Sequence, residues 1–165
     1  MTPTQLARKK TGMDNQGKQS LRVWLQLLGL TTIIEKKIRR RLWEEFETTL
    51  PRFDVLATLE HVHGKVTMGE LSRHLLVSKG NVTGVVANLV DQGFIKKENS
   101  TEDRRTQYLS LTPHGAHEFE KLAKAHQGWI EDLFSGLEEK SMAGLLEKLG
   151  QLKTSLTTNA KGEDA

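Results

Sequence analysis

Apolar side chains recur at helical spacing through most of the chain and alternate in the manner of strands only between residues 94 and 111. The first run, Gln19 to Phe46, predicts one long helix with Trp24, Leu27, Leu28, Ile34, Ile38, Leu42 and Phe46 along its buried stripe. Its first half is apolar nearly all round, because Leu21, Val23, Leu25, Leu30 and Ile33 fill the remaining faces. These residues cannot all face one small core, so a second surface, naturally that of another subunit, is expected to cover them. Leu50-Pro51 starts the next helix, since proline is tolerated in a first turn. Phe53, Leu56, Leu59 and Val62 form its stripe, and Gly64 after His61-Val62-His63 is its stop.

Thr67-Met68-Gly69-Glu70 has the form of a capping box and predicts a short helix to about Leu75. Ser78 offers a second N-cap, followed by Val82, Val85, Val86 and Leu89 on one helical face. The opposite face holds Gly80, Gly84, Ala87 and Asn88, flanked by Asn81 and Thr83. Each glycine costs a helix about 1 kcal/mol relative to alanine, so their outward placement points to a close approach from outside. The alternative is a plain surface helix of weak propensity. Gly93 ends the helix, Phe94-Ile95-Lys96-Lys97 begins a strand, and Thr106 to Leu111 alternates as the return strand. Helix, turn, helix and hairpin make a winged helix-turn-helix, whose second helix fits a DNA major groove. There Asn81 and Thr83 are suited to reading base edges.

Thr112-Pro113 opens a further helix carrying Phe119, Leu122, His126, Trp129, Ile130 and Leu133, which breaks at Gly136 or Leu137. A last helix shows Met142, Leu145, Leu146, Leu149, Leu152 and Leu156. The fold expected is therefore mainly α with a small β-hairpin wing, a winged helix-turn-helix with N- and C-terminal dimerisation helices. Residues 1–18 form a mobile tail, 19–49 and 112–157 the helical dimerisation region, 50–111 the DNA-binding region, and 158–165 a second tail.

At 165 residues, 36% hydrophobic and 27% charged, the chain has room for one ordinary domain, and no apolar run reaches the ~20 residues that span a bilayer. Met1 to Lys18 lacks the apolar core of a signal peptide, so a cytoplasmic location is expected. The absence of cysteine excludes disulfides and thiolate chemistry. No phosphate-binding loop, dinucleotide fingerprint or zinc-hydrolase motif is present, and no enzymatic function or cofactor is expected. His114 with His117, and His61 with His63, stand close in sequence, but scattered helical histidines without cysteine are better read as packing or surface residues than as metal ligands. Net charge is only +3, and residues 61–111 hold seven Lys/Arg against five Asp/Glu. Lys96, Lys97, Arg104 and Arg105 gather on the hairpin, where they are placed to neutralise phosphates.

The run Leu71-Ser72, Gly80-Asn81-Val82-Thr83, Gly93-Phe94-Ile95, Asp103-Arg104-Arg105 and Leu111-Thr112-Pro113-His114-Gly115 resembles the MarR family of bacterial transcription regulators. The resemblance covers most of the chain. It implies that the arginine of Asp103-x-Arg105 is a minor-groove probe held by the aspartate, and that the terminal helices form an intertwined homodimer. It also implies a small, often aromatic anionic effector between the dimer helices and the winged region. Trp24-Leu25-x-Leu27 and Leu50-Pro51-Arg52-Phe53-Asp54 look like the branch associated with aromatic-acid and aromatic acyl-CoA catabolism. Lacking cysteine, the chain departs from the peroxide-sensing members.

The DNA-binding residues expected are Ser78, Lys79, Gly80, Asn81, Thr83, Asn88, Asp103, Arg104 and Arg105. Arg39, Arg40 and Arg41 lie one turn beyond an apolar, tryptophan-bearing helix segment, which makes a slot with a cationic mouth suited to carboxylate or phosphate. With Trp24 and Phe53 they are the candidate effector residues. The competing reading pairs these arginines with Glu44 and Glu45 or with DNA. The function expected is a repressor released from a palindromic operator by a small organic anion, such as an aromatic acid or aromatic acyl-CoA. Its alternative is a ligand-independent architectural DNA-binding protein.

Overall fold

Helix α1 (Pro3–Phe46) opens the chain in the computed structural model, which describes residues 3–62, 64–77, 79–101, 103 and 105–160. The helix expected from Gln19 thus begins at Pro3, and residues 3–18, expected as a tail, are helical. Pro3 sits in the first turn, where its missing N–H costs nothing, and no later proline interrupts the run. Residues 1–2 and, at the other end, 161–165 lie outside the described residues.

The C-terminal end of α1 turns at Glu47 (φ 49°), where the Glu47 and Thr48 N–H groups donate to the carbonyls of Trp43 and Leu42 at 3.0 and 3.2 Å. There follow α2 (Leu50–Val62), β1 (Val66–Thr67), α3 (Met68–His74), α4 (Lys79–Asp91), β2 (Ile95–Asn99), β3 (Gln107–Leu111), α5 (Pro113–Phe134) and α6 (Glu139–Ala160). The capping box forms as expected: the Glu70 N–H donates to Thr67 Oγ1 at 3.3 Å, and Glu70 Oε2 accepts from the Thr67 N–H at 2.8 Å. These bonds hold the Glu70 carboxyl below the usual carboxylate range.

The three strands are antiparallel in the order β1-β3-β2, with Val66 opposite Leu109 and Ile95 opposite Leu111. Strand β1 adds to the expected hairpin. Its two residues are too few to alternate visibly, and its partner lies across the whole helix-turn-helix. Ile38 and Leu42 of α1 meet Phe53, Val55, Leu56 and Leu59 of α2 and Val82, Val86 and Leu89 of α4 in one core, closed by Leu71, Ile95 and Leu109. Each such side chain contributes about 1.5–3 kcal/mol by leaving water.

The start of α5 is locked to the base of the hairpin. The Thr112 hydroxyl donates to the Gly93 carbonyl (2.6 Å) and accepts from the Gly115 N–H (2.9 Å), while the Thr112 N–H donates to the Phe94 carbonyl (3.0 Å). A Cβ on Gly115 would lie 2.0 Å from that carbonyl oxygen, so only glycine fits. His114 packs its ring against Phe94 at 5.0 Å.

Contacts divide the chain into two compact units, Met1–His126 and Gln127–Ala165. In the second, Trp129 is buried, while Leu145, Leu146, Leu149, Leu152 and Leu156 of α6 are exposed. Residues 158–160 of the expected C-terminal tail continue α6. Among the described residues no helix is long and apolar enough to cross a membrane.

Candidate nucleic-acid interface

Helix α4 is amphipathic in the sense its sequence predicts. Val82, Val86 and Leu89 are at most 3% exposed, while Gly80, Asn81, Thr83, Gly84, Ala87 and Asn88 face outward. A Cβ on Gly80 or Gly84 would meet nothing within 4 Å. Intramolecular packing therefore does not require these glycines, and they leave a shallow face open to an outside surface. Ser78 lies outside the described residues, as does the side chain of Lys79.

Asn88 does not stand free on this face. Its Oδ1 accepts from Arg52 Nη1, Gln92 Oε1 accepts from Arg52 Nη2, and Arg52 Nε donates to Thr48 Oγ1 at 3.2 Å. One guanidinium thus pins the last turns of α4 to α2. Partial burial lowers its pKa from the usual arginine value. Asn88, still exposed, thus anchors the helix through its Oδ1. Arg52 was absent from the expected set because its partners stand 36 and 40 positions away.

In the hairpin tip, Asp103 is the organising residue. Its Oδ1 accepts from the Arg105 N–H at 2.9 Å and its Oδ2 from the Thr106 hydroxyl at 3.0 Å, and its own N–H donates to Ser100 Oγ at 3.3 Å. The aspartate therefore fixes the backbone that carries Arg105 and not the guanidinium. Arg105 is exposed, and among the described residues its guanidinium makes no hydrogen bond or ion pair. Arg104 lies outside the described residues.

The basic hairpin is weaker than its sequence predicts. Glu98 accepts an ion pair from Lys96 at 3.2 Å and another from Lys65, and both hold its carboxyl below the usual range. Lys97 remains exposed on the same strand.

The five candidate effector residues do not converge. Arg39 pairs with Glu35, and Arg40 faces Glu44 at 3.8 Å. Trp24 is 57% exposed on the N-terminal half of α1, and Arg41 is half-buried. Phe53 is buried against the rings of Phe119 (5.6 Å) and His126 (4.6 Å), with His126 held below its usual pKa by burial. Arg39 alone of the five lines a cavity of about 440 Å³ between α1, α2, the α3–α4 turn and α4, shared with Glu35, Asp54 and Asn81. Its apolar walls include Val55, Leu75 and Val82. Burial raises the Asp54 carboxyl above its usual range against the opposing pull of Arg39. In the sequence Asp54 stood only as the end of Leu50-Pro51-Arg52-Phe53-Asp54, and the folding of α2 against α1 brings it to this cavity.

A sequence profile described as the MarR family matches residues 47–106, the whole helix-turn-helix and the hairpin to its tip. The uncharacterized HTH-type transcriptional regulator YkoM of Bacillus subtilis is 32% identical over 122 residues, 72% of this chain and 77% of its own. The transcriptional activatory protein BadR of Rhodopseudomonas palustris is 26% identical over 170 residues, 97% of each chain. Among solved structures, a mutant MarR from Escherichia coli complexed with operator DNA superposes with a TM-score of 0.66 at 25% identity, over 77% of this chain and 93% of that one.

Proposed function

This chain belongs to the MarR family of DNA-binding transcription regulators, which are not enzymes, and from that premise we propose that it acts in the cytoplasm as a homodimeric, ligand-responsive repressor. Its α4 enters the major groove and its Asp103–Arg105 tip the adjacent minor groove, one copy per half-site of a two-fold operator. Half-site centres then lie about one helical turn, roughly 10 bp, apart. Repression follows where the operator overlaps a promoter, and transcription measured with and without the protein gives its sign.

Dimerisation is supported by apolar surface too extensive for a monomer. Leu21, Val23, Trp24, Leu25, Leu30 and Ile33 of α1 are each more than half exposed, and α6 presents five further leucines. An aspartate at Leu149 is expected to convert the dimer to a monomer or an unfolded chain in analytical ultracentrifugation. A wild-type chain sedimenting as a folded monomer at micromolar concentration removes the dimer reading.

The observation that carries the effector reading is that Arg39 and Asn81 line one cavity. A ligand there touches the helix that reads DNA. The volume accommodates an aromatic acid whole, or the acyl end of its CoA thioester. A carboxylate competes with Glu35 for Arg39, and protonation of Asp54, whose carboxyl burial holds above its usual range, would lessen its repulsion of the anion. Binding of such an anion is therefore expected to tighten as pH falls through the raised range of Asp54, until the ligand itself is protonated. Moving the regulator from 99% bound to 99% released requires the ligand to prefer the released form by about 5.5 kcal/mol.

Calorimetric titration with aromatic acids and their CoA thioesters, alongside operator binding, tests this. Binding should weaken about tenfold or more in Arg39→Ala, through loss of a charge-assisted contact. If no member of the panel binds, or binding leaves operator affinity unchanged, the ligand-independent architectural reading takes its place.

A further inference from the structure

The turn between α3 and α4 contains a residue that folding alone does not explain. Its hydrogen bonds are complete: the N–H groups of Leu75, Leu76 and Val77 donate to the carbonyls of Leu71, Arg73 and Ser72 at 3.0, 3.2 and 3.2 Å. This pattern places the residue after the helix cap in the left-handed region, and Leu76 is found there at φ 55°. Glycine or asparagine adopts that conformation readily, whereas a leucine Cβ crowds the neighbouring carbonyl.

The side chain recovers nothing by packing, for it is 92% exposed, and among the described residues no other exposed large hydrophobic exceeds 65%. Val77 beside it is also exposed. A strained backbone thus holds an apolar side chain in water at the entrance to α4.

Its surroundings suit a polyanion. Arg73 and His74 are exposed on the last turn of α3. Glu70, the only carboxylate of that helix, is turned back on Thr67, with its Oε2 accepting from the backbone N–H and from the hydroxyl at 2.8 and 2.9 Å. At the edge of a major groove, cations engage phosphates and amides engage base edges. The apolar feature left to recognise is the C5-methyl of thymine.

We infer that Leu76 is a specificity-determining residue that packs against a thymine methyl in each half-site. This rests on the reading of α4 as the helix in the major groove.

The test begins with duplexes selected by the wild-type protein from a random-sequence library. Each thymine of the selected half-site is then replaced singly by deoxyuridine, which removes only the methyl group. At one position per half-site the wild type should lose about fourfold in affinity, the partition of one methyl-sized group. Leu76→Ala should bind the parent duplex at least that much more weakly and be indifferent to deoxyuridine at that position, so that the two changes are not additive. Leu76→Gly should resist urea at least as well as wild type while showing the same loss on DNA, which separates recognition from misfolding.

Additive losses, or a Leu76→Ala protein that binds like wild type, overturn the inference while leaving α4 in the groove. A Leu76→Ala protein that sediments as a monomer assigns the side chain to a contact between copies and also overturns it. If no duplex is enriched, or if Asn81→Ala keeps the full sequence preference, the reading of α4 itself fails and this inference with it.

Discussion

Replacing Gly115 with alanine is expected to lower the unfolding free energy by about 3 kcal/mol. The added Cβ would stand 2.0 Å from the Phe94 carbonyl oxygen, 2.8 Å from its carbon and 3.0 Å from the Phe94 Cα. All three are backbone atoms, so no side chain can rotate aside. Nor can the start of α5 retreat cheaply. Thr112 ties it through hydroxyl and amide to Gly93 and Phe94, and Phe94 leads directly into β2 and the buried Ile95. Relief of the clash must therefore break those bonds or shift the hairpin. Urea denaturation at fixed protein concentration measures the loss, the concentration being fixed because a dimer's stability depends on it. A change below about 0.5 kcal/mol would show that the close approach is not maintained in solution.

The second large effect is expected on DNA. Arg105→Ala should weaken binding to selected and random duplexes alike, by about tenfold, and reduce the salt dependence by about one phosphate contact. Asn81→Ala should instead lose discrimination at particular base pairs. Asp103→Ala separates charge from geometry. Removing a carboxylate near a polyanion should strengthen binding if only net charge mattered. Asp103, however, holds the Arg105 N–H and the Thr106 hydroxyl, and its loss frees the tip that presents Arg105. Weaker binding by Asp103→Ala therefore establishes that the aspartate acts by fixing backbone, and stronger binding would dismiss that role. Filter binding or fluorescence anisotropy at two or more salt concentrations reads all three variants.

Several parts of this architecture are written in short stretches of the chain. The capping box at Thr67 needs only four consecutive residues, and its two reciprocal bonds form as the spacing implies. The valine and leucine stripe of α4 is equally local, because residues three and four apart share one helical face whatever the helix packs against. The hairpin follows from alternation and a polar turn, its register running from Ile95 opposite Leu111 to Asn99 opposite Gln107. The surplus apolar residues of α1 were legible too, since their number exceeds what one side of a helix can bury.

Other features were hidden because they depend on which distant surfaces meet. Strand β1 exists through its pairing with β3, and two residues carry no period of their own. The glycine of Thr112-Pro113-His114-Gly115 was visible as a motif, yet the reason for it is the Phe94 carbonyl. The triple arginine suggested one anion site, but Arg39 and Arg40 are drawn to Glu35 and Glu44 one turn away along the same helix. Charge on neighbouring helix positions fans out around the axis, so a basic run need not converge on a ligand.

By itself the sequence determined the helices from Leu50 onward, the hairpin and the open, glycine-bearing face of α4, since all of these rest on hydrogen bonds and periodicities among near neighbours. Residues 3–18 of α1, by contrast, carry no apolar stripe and were expected as a tail. Only the tertiary structure decided that Arg52 pins Asn88 and Gln92, that Lys65 reaches Glu98, and that Arg39, Asp54 and Asn81 border one cavity. The reason is that the strength of a charge or hydrogen bond depends on distance and desolvation. For residues tens of positions apart, neither exists until α1, α2 and α4 have buried their apolar faces together.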